Sequence, residues 1–454
     1  GFAPSADATV GSEGYGLLDA GLRGGANGLD YAVLVGGQRT DGYPFTNPQL
    51  PYGNFNPNND GFSQQSISAN VGYAWADGWS LRLLGLGSRG NVQFADGFDP
   101  TRPDLTARSR VGTAVDGIQL QGRVTAQWST RLHYGASRDD YDTDLAVQSY
   151  DLGRFTNRQQ QAQWQNDITT PIGTVLASVE QLRQSVDSDA VAFPIDHRTV
   201  NGILLGVVGH AGAHGWQADV RSDVNSEFGH IATGAASYGW QFAPTWRLTI
   251  SAGTSFVMPS FDDLYYPGYG NPSLLPQRGE STEIGLDWKE AGQSLRVLAY
   301  DSRFHDLIAL NTDYYPVNIG QSRIRGLTVE YGGRIGPVTL GASADYLDPA
   351  DLTDGTELPH RAREVLSANA DWNVSPDWSA GVRLHTQGTR YDDTANQQPL
   401  GGFGLVSLAV QWHVLRGWHL ALRVDNAADH SYSPAYGYNG PPRQVFLSLR
   451  YAGS

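Results

Sequence analysis

The sequence predicts an all-β fold, a transmembrane antiparallel β-barrel of about 22 strands. Three observations carry that expectation. Apolar and polar residues alternate through one segment after another, very short turns are interspersed with long polar connections, and tryptophan recurs beside the short turns.

A first strand is expected near residues 3–12. About ten hairpins follow, from Gly14–Tyr43 to Phe403–Asp425, and Gln444–Ala452 forms the last strand. Midway, Trp246, Leu248 and Ile250 alternate with Arg247, Thr249 and Ser251. Near the end, Val406, Leu408, Val410 and Trp412 alternate with Ser407, Ala409 and Gln411. Trp418, Leu420, Leu422 and Val424 then alternate with His419, Ala421 and Arg423, and Val445, Leu447 and Leu449 with Phe446, Ser448 and Arg450. Successive side chains of a strand point to opposite sides, so each segment has one greasy face and one polar face. Arg82, Arg247, Arg423 and Arg450 fall on the polar face, where a wide barrel has a wet lumen.

The punctuation separates this from a soluble sandwich. Short turns are read at Gly24 to Gly28, Ala76-Asp77-Gly78, Ala243-Pro244, Glu290-Ala291-Gly292, Gly336-Pro337 and Arg416-Gly417. Long connections rich in Asp, Asn, Pro and Gly are read at 44–61, 96–113, 258–279 and 347–362. Short turns on one side and long loops on the other mark an outer-membrane barrel. Trp75, Trp79, Trp128, Trp240, Trp246, Trp288, Trp372, Trp378, Trp412 and Trp418 lie near the short turns, as an interfacial girdle requires.

Composition agrees. The 454 residues include 55 glycines and no cysteine, which excludes a disulfide framework, a thiolate metal site and a cysteine nucleophile. A net charge of −15 lacks the basic footprint of a nucleic-acid binder. No run approaches the roughly 18 to 20 apolar residues of a membrane helix. The mean hydropathy of −0.36 suits a wall in which only alternate residues meet lipid. Residues 1–454 are expected to form a single barrel bounded by lipopolysaccharide and outer-membrane lipid. Gly1 opens without a leader, so a mature or trimmed form is expected, and Ala452-Gly453-Ser454 after Tyr451 suggests an altered end.

No enzyme is expected. His305-Asp306 and scattered serines make no defined triad, and Asp139 and Asp140 would point to opposite faces of a strand. Carboxylates do collect in segments read as apical: Asp41, Asp60, the group Asp139, Asp140, Asp142 and Asp144, and Asp151 after Tyr150. Calcium takes six to eight oxygens from such adaptable loops.

The run Pro259-Ser260-Phe261-Asp262-Asp263-Leu264-Tyr265, followed by Tyr269-Gly270-Asn271-Pro272-Ser273-Leu274-Leu275-Pro276, resembles the signature of TonB-dependent receptors. Glu283-Ile284-Gly285 fits the same pattern, with Gln277 where glutamate is usual. Asn318-Ile319-Gly320 through Arg325-Gly326 to Glu330 forms a second patch. The third is Asn426, Asp429, Tyr432 and Tyr438 leading to Pro442-Arg443, with proline where glycine is common. Within the family, Asp41-Gly42-Tyr43, Asn59-Asp60-Gly61-Phe62, Arg221-Ser222-Asp223 and Tyr436-Gly437-Tyr438 are similar to the cobalamin transporters.

That resemblance implies cobalamin uptake energised by TonB through an N-terminal plug, and nothing in this chain corresponds to the plug. It implies calcium at Asp41, Asp60, Tyr150 and Asp151, although Pro44 and Asn58 stand where carboxylates are expected. A corrinoid would be received by Tyr52, Phe55, Tyr265, Tyr266, Tyr269 and Tyr436. Two alternatives stay open: a siderophore (iron-chelate) receptor, and a plugless passive pore or surface receptor.

Overall fold

The computed structural model describes residues 1–50, 53–148, 152–311 and 315–453. Twenty-two strands run in chain order, each pairing antiparallel with the next. The first, Phe2–Gly11, pairs with the last, Gln444–Ala452, and closes the sheet on itself. Both terminal strands fall where the alternation predicts them. Closure leaves no row of unpaired backbone groups, the condition for a sheet to sit in lipid. Outside the wall, the described residues also form the one-turn helix Phe261–Tyr265 and a two-stranded ribbon, Arg390–Tyr391 with Pro399–Leu400.

The registers assign every side chain to a face. Val71 pairs with Leu83, Leu83 with Ile118 and Ile118 with Tyr134. Across the barrel, Ile250, Ile284, Ala299, Leu327 and Tyr346 form a similar row. These rows face outward, and the intervening rows carry the polar residues into the lumen. Arg82, Arg247, Arg423 and Arg450 all fall on lumen rows, as the sequence predicts.

Glycine makes room for charge inside. Gly72 lies between Asp30 and Arg82 on neighbouring strands, and a Cβ there would come within 2.5 Å of Asp30 Oδ1 and 2.8 Å of Arg82 Nη2. With no side chain in the way, Arg82 reaches across to Asp30 at 3.0 Å. Gly202 does the same between Glu180 and Asp223, letting Arg221 bond both, at 3.0 and 2.7 Å. Arg450 pairs with Asp7 across the closing seam.

On the short-turn side the tryptophans stack along the outer wall. Trp378 and Trp412 lie 5.4 Å apart and nearly parallel, and Trp75 and Trp79 are 6.4 Å apart. The few buried apolar side chains are mostly on the opposite side, at Leu264, Leu274, Leu358 and Leu400 in the long connections. Each contributes about 1.5–3 kcal/mol by its burial.

Three expected boundaries are corrected. Strand Ala107–Arg123 begins inside the expected connection 96–113, strand Gln277–Glu290 inside 258–279, and strand Val338–Asp351 ends inside 347–362. The ladders continue above the apolar band, where outward positions are no longer greasy and the alternation loses contrast. Two connections on the long-loop side are themselves short, 12–15 and 226–228.

Candidate functional site

The loop side is organised by residues that the sequence motifs contain. Ser260 caps the helix Phe261–Tyr265 in a capping box with Asp263, which satisfies otherwise unpaired amide groups. Phe261 and Leu264 turn inward and are buried. Arg198 lies 4.8 Å from the Phe261 ring centroid, donates to Pro259 O and Gln184 Oε1 at 2.7 Å each, and stands 3.8 Å from Glu227. The loop is thus pinned by a buried guanidinium to strand His197–Ala211, three strands along the wall from the strand it leaves.

The asparagines of the three motifs are clasps. Asn271 donates to Pro316 O at 3.1 Å. Asn318 accepts from Leu275 N at 2.9 Å and donates to Leu275 O and Asp306 O, at 3.1 and 2.7 Å. Asn426 spans His430 and Pro441 in the last connection. Their chemistry is loop fastening. Asn271 and Asn426 lie on paths between two strands, where an amide side chain replaces missing ladder partners, whereas Asn318 stands near the start of strand Pro316–Ile335 and ties it to the connection before Gln277.

Among the expected ligand-receiving residues, Tyr265, Tyr266 and Tyr269 come together in connection 258–276. Tyr266 and Tyr269 meet edge-on at 6.3 Å. Sequence reasoning missed two companions. Phe155, on a lumen row at the top of strand Gly153–Thr170, stacks on Tyr266 at 6.1 Å, and Phe193 packs on both at 6.4 and 6.5 Å. The four rings form one cluster at the mouth. Tyr265 is not free to join it, because its hydroxyl donates to Glu227, and burial and that carboxylate push its pKa up to about 12. Among the described residues no ring contact ties Phe55 or Tyr436 to the cluster, though Tyr436 N donates to Asp392. Tyr52 lies outside the described residues.

The carboxylates behave differently from the calcium expectation. Asp139, Asp140, Asp142 and Asp144 are not apical loop residues; they lie in strand Trp128–Leu145. Asp140 is held by Arg138 and Arg154 at 2.7 and 3.3 Å, and Asp144 by Arg108 and Arg110 at 2.7 and 2.6 Å. Asp60 is buried with 3% exposure, accepts from Phe45 N through Oδ2, and leaves Oδ1 with no partner. Burial pushes its pKa up to about 6. Asp41 is exposed near Gly14. Tyr150 and Asp151 lie outside the described residues. Among the described residues, no three or more His, Asp or Glu side chains converge as a metal site.

Residues 2–427 match the family model described as "TonB dependent receptor-like, beta-barrel". Among solved structures, a siderophore receptor from Acinetobacter baumannii gives a TM-score of 0.84 at 10% identity, covering 99% of this chain and 80% of that one. A mutant ferric enterobactin receptor from Pseudomonas aeruginosa gives 0.81 at 14% identity, with 99% and 80% covered. A ferric-catecholate import receptor from E. coli K12 gives 0.79 at 14% identity, with 99% and 81% covered. At these identities the likeness is one of fold. The closed wall of 22 strands and the matched stretch establish that the chain belongs to the TonB-dependent receptor β-barrel family, a transporter of the Gram-negative outer membrane.

Proposed function

We propose that this barrel takes up an iron chelate of the siderophore class, with energy delivered through TonB. The observation that carries the reading is the four-ring cluster of Phe155, Phe193, Tyr266 and Tyr269 at the mouth of the lumen. Flat rings held on a wall strand and two loops suit the aryl faces of a catecholate-type chelate. The similar solved structures named above are receptors for siderophores and ferric catecholates, which agrees with this reading. They support it over the cobalamin reading suggested by the local motifs.

The test is ligand titration of the detergent-solubilised barrel, read by tryptophan fluorescence, with a ferric catecholate in one arm and cyanocobalamin in the other. Saturable binding of the iron chelate is expected, weakened about tenfold by Tyr266→Ala or Phe155→Ala, a loss of about 1.4 kcal/mol. Saturable binding of cyanocobalamin alone would overturn the reading and restore the cobalamin one. Calcium belongs to that second reading, and Asp60 with its unpartnered Oδ1 is the described residue that favours it.

A further inference from the structure

The outer wall carries a basic sector that ligand uptake does not use. Arg39, Arg89, Arg110, Arg138, Arg158 and Arg183 all fall on outward rows, on strands between Leu29–Thr40 and Gly173–Ser188. Their heights are similar, ten to thirteen positions from the short-turn end of each strand. Arg39, Arg89 and Arg138 each stand ten positions beyond the residue that opens their strand on the short-turn side, Leu29, Trp79 and Trp128. Roughly 9–11 tilted residues cross the hydrocarbon layer, so these guanidinium groups emerge at the headgroups of the outer leaflet.

Their pairing is incomplete. Arg138 and Arg154 share Asp140, and Arg110 reaches Asp144. Arg39, Arg89, Arg158 and Arg183 make no ion pair with any described residue. Arg138 and Arg158 stand directly opposite each other in the ladder, like charges that repel, and among the described residues only Arg138 of the two has a carboxylate beside it, Asp140. The same height elsewhere is close to neutral, since Arg303 pairs with Asp301 and Arg323 and Arg325 with Asp348.

The sector is also hollow. Gly37 and Gly112 withhold side chains from the row that carries Arg89, and a recess of about 1210 Å³ opens there, where Arg39, Arg89, Arg110, Arg138 and Arg154 outnumber the carboxylates Asp140 and Asp142. Directly below, Leu18, Ile67, Leu83 and Ile118 present an exposed apolar strip. A cationic recess above a greasy strip matches an amphiphile with an anionic head.

We infer that this sector binds a phosphorylated glycolipid of the outer leaflet, its phosphates on the arginines and its acyl chains along the strip. Arginine suits this role because its planar donors grip phosphate in pairs and stay charged at every physiological pH. The occupant is a lipid and not a free anion, because the recess is continuous with the apolar strip.

The experiment measures binding of bisphosphorylated lipid A to the full chain in detergent, by native mass spectrometry and thermal shift. Its arms are dephosphorylated lipid A and inorganic pyrophosphate. The expected result is binding of the bisphosphorylated lipid, lost by at least tenfold in Arg39→Gln/Arg89→Gln/Arg138→Gln and changed less than twofold in Arg303→Gln/Arg325→Gln. Equal binding by the triple variant, equal binding of dephosphorylated lipid, or full competition by pyrophosphate would each overturn it. Retention of the heat-modifiable band on gels verifies that each variant is folded. If the triple variant fails that check, Arg89→Gln alone serves, with a smaller loss expected and rescue by Arg89→Lys.

Discussion

The lumen and one sector of the outer wall both carry arginine, on alternate residues of the same strands, and differ in how fully particular arginines are paired. Inside, Arg82 has Asp30, Arg221 has Glu180 and Asp223, and Arg450 has Asp7. Outside, in the basic sector, Arg39 and Arg89 have no ionic partner among the described residues. Compensated charge keeps a wet wall rigid and indifferent to what lies against it. Uncompensated charge at a fixed height leaves binding capacity for something the chain does not supply.

The sharpest way to break this comparison uses adjacent leucines. Leu83 and Leu84 are equally exposed in the isolated chain, at 48% and 46%, yet Leu83 lies in an outward row beside Ile118 and Leu84 in a lumen row beside Asn70. Leu83→Arg should cost about 2–4 kcal/mol when refolding into bilayers is titrated with denaturant, and Leu84→Arg far less. Equal costs would mean that the faces are misassigned.

A second test contrasts two buried carboxylates, Asp223 with its arginine and Asp60 without one. Asp60 titrates near 6 because burial disfavours its charge. Below about pH 4 both folded and unfolded chains hold the proton, and the site costs no charge. Between about 4 and 6 only the folded chain keeps it, so stability falls as pH rises, and above 6 the loss is complete at up to about 3 kcal/mol. Asp60→Asn should therefore protect connection 41–61 from hydrogen exchange at pH 8, with the two proteins converging near pH 4. Calcium reproducing that protection in the unsubstituted chain would favour a cation at Asp60. Unchanged exchange in the variant would mean that the carboxylate is solvated.

The smallest effect sharpens the contrast between paired charges. Arg221→Met strands Asp223 at 2% exposure and should cost about 2 kcal/mol in thermal unfolding. Arg303→Met, from an exposed outer pair with Asp301, should cost under about 1 kcal/mol.

Much of the wall was legible in the sequence, because lipid on one side and water on the other impose a two-residue period. Where lipid ends the period fades, so the upper ends of Ala107–Arg123 and Trp128–Leu145 were read as loop and ligand-bearing carboxylate. The site was half legible. Tyr266 and Tyr269 lie within a motif, whereas Phe155 joins them only through folding across more than a hundred residues. The one available signal was an aromatic residue on the polar phase of a strand. The basic sector was invisible for a related reason: its arginines meet only when the registers align them.

The seam between the first and last strands has a consequence for how the molecule comes into being. Thr9 and Ser448 share a buried hydrogen bond at 2.7 Å although 439 positions separate them. Contacts between such distant parts of a chain form late and slowly. Until they form, the growing sheet exposes two strand edges, each a template for pairing with another chain. Assembly is therefore all or nothing at its final step, and no shorter intermediate has its backbone satisfied in lipid.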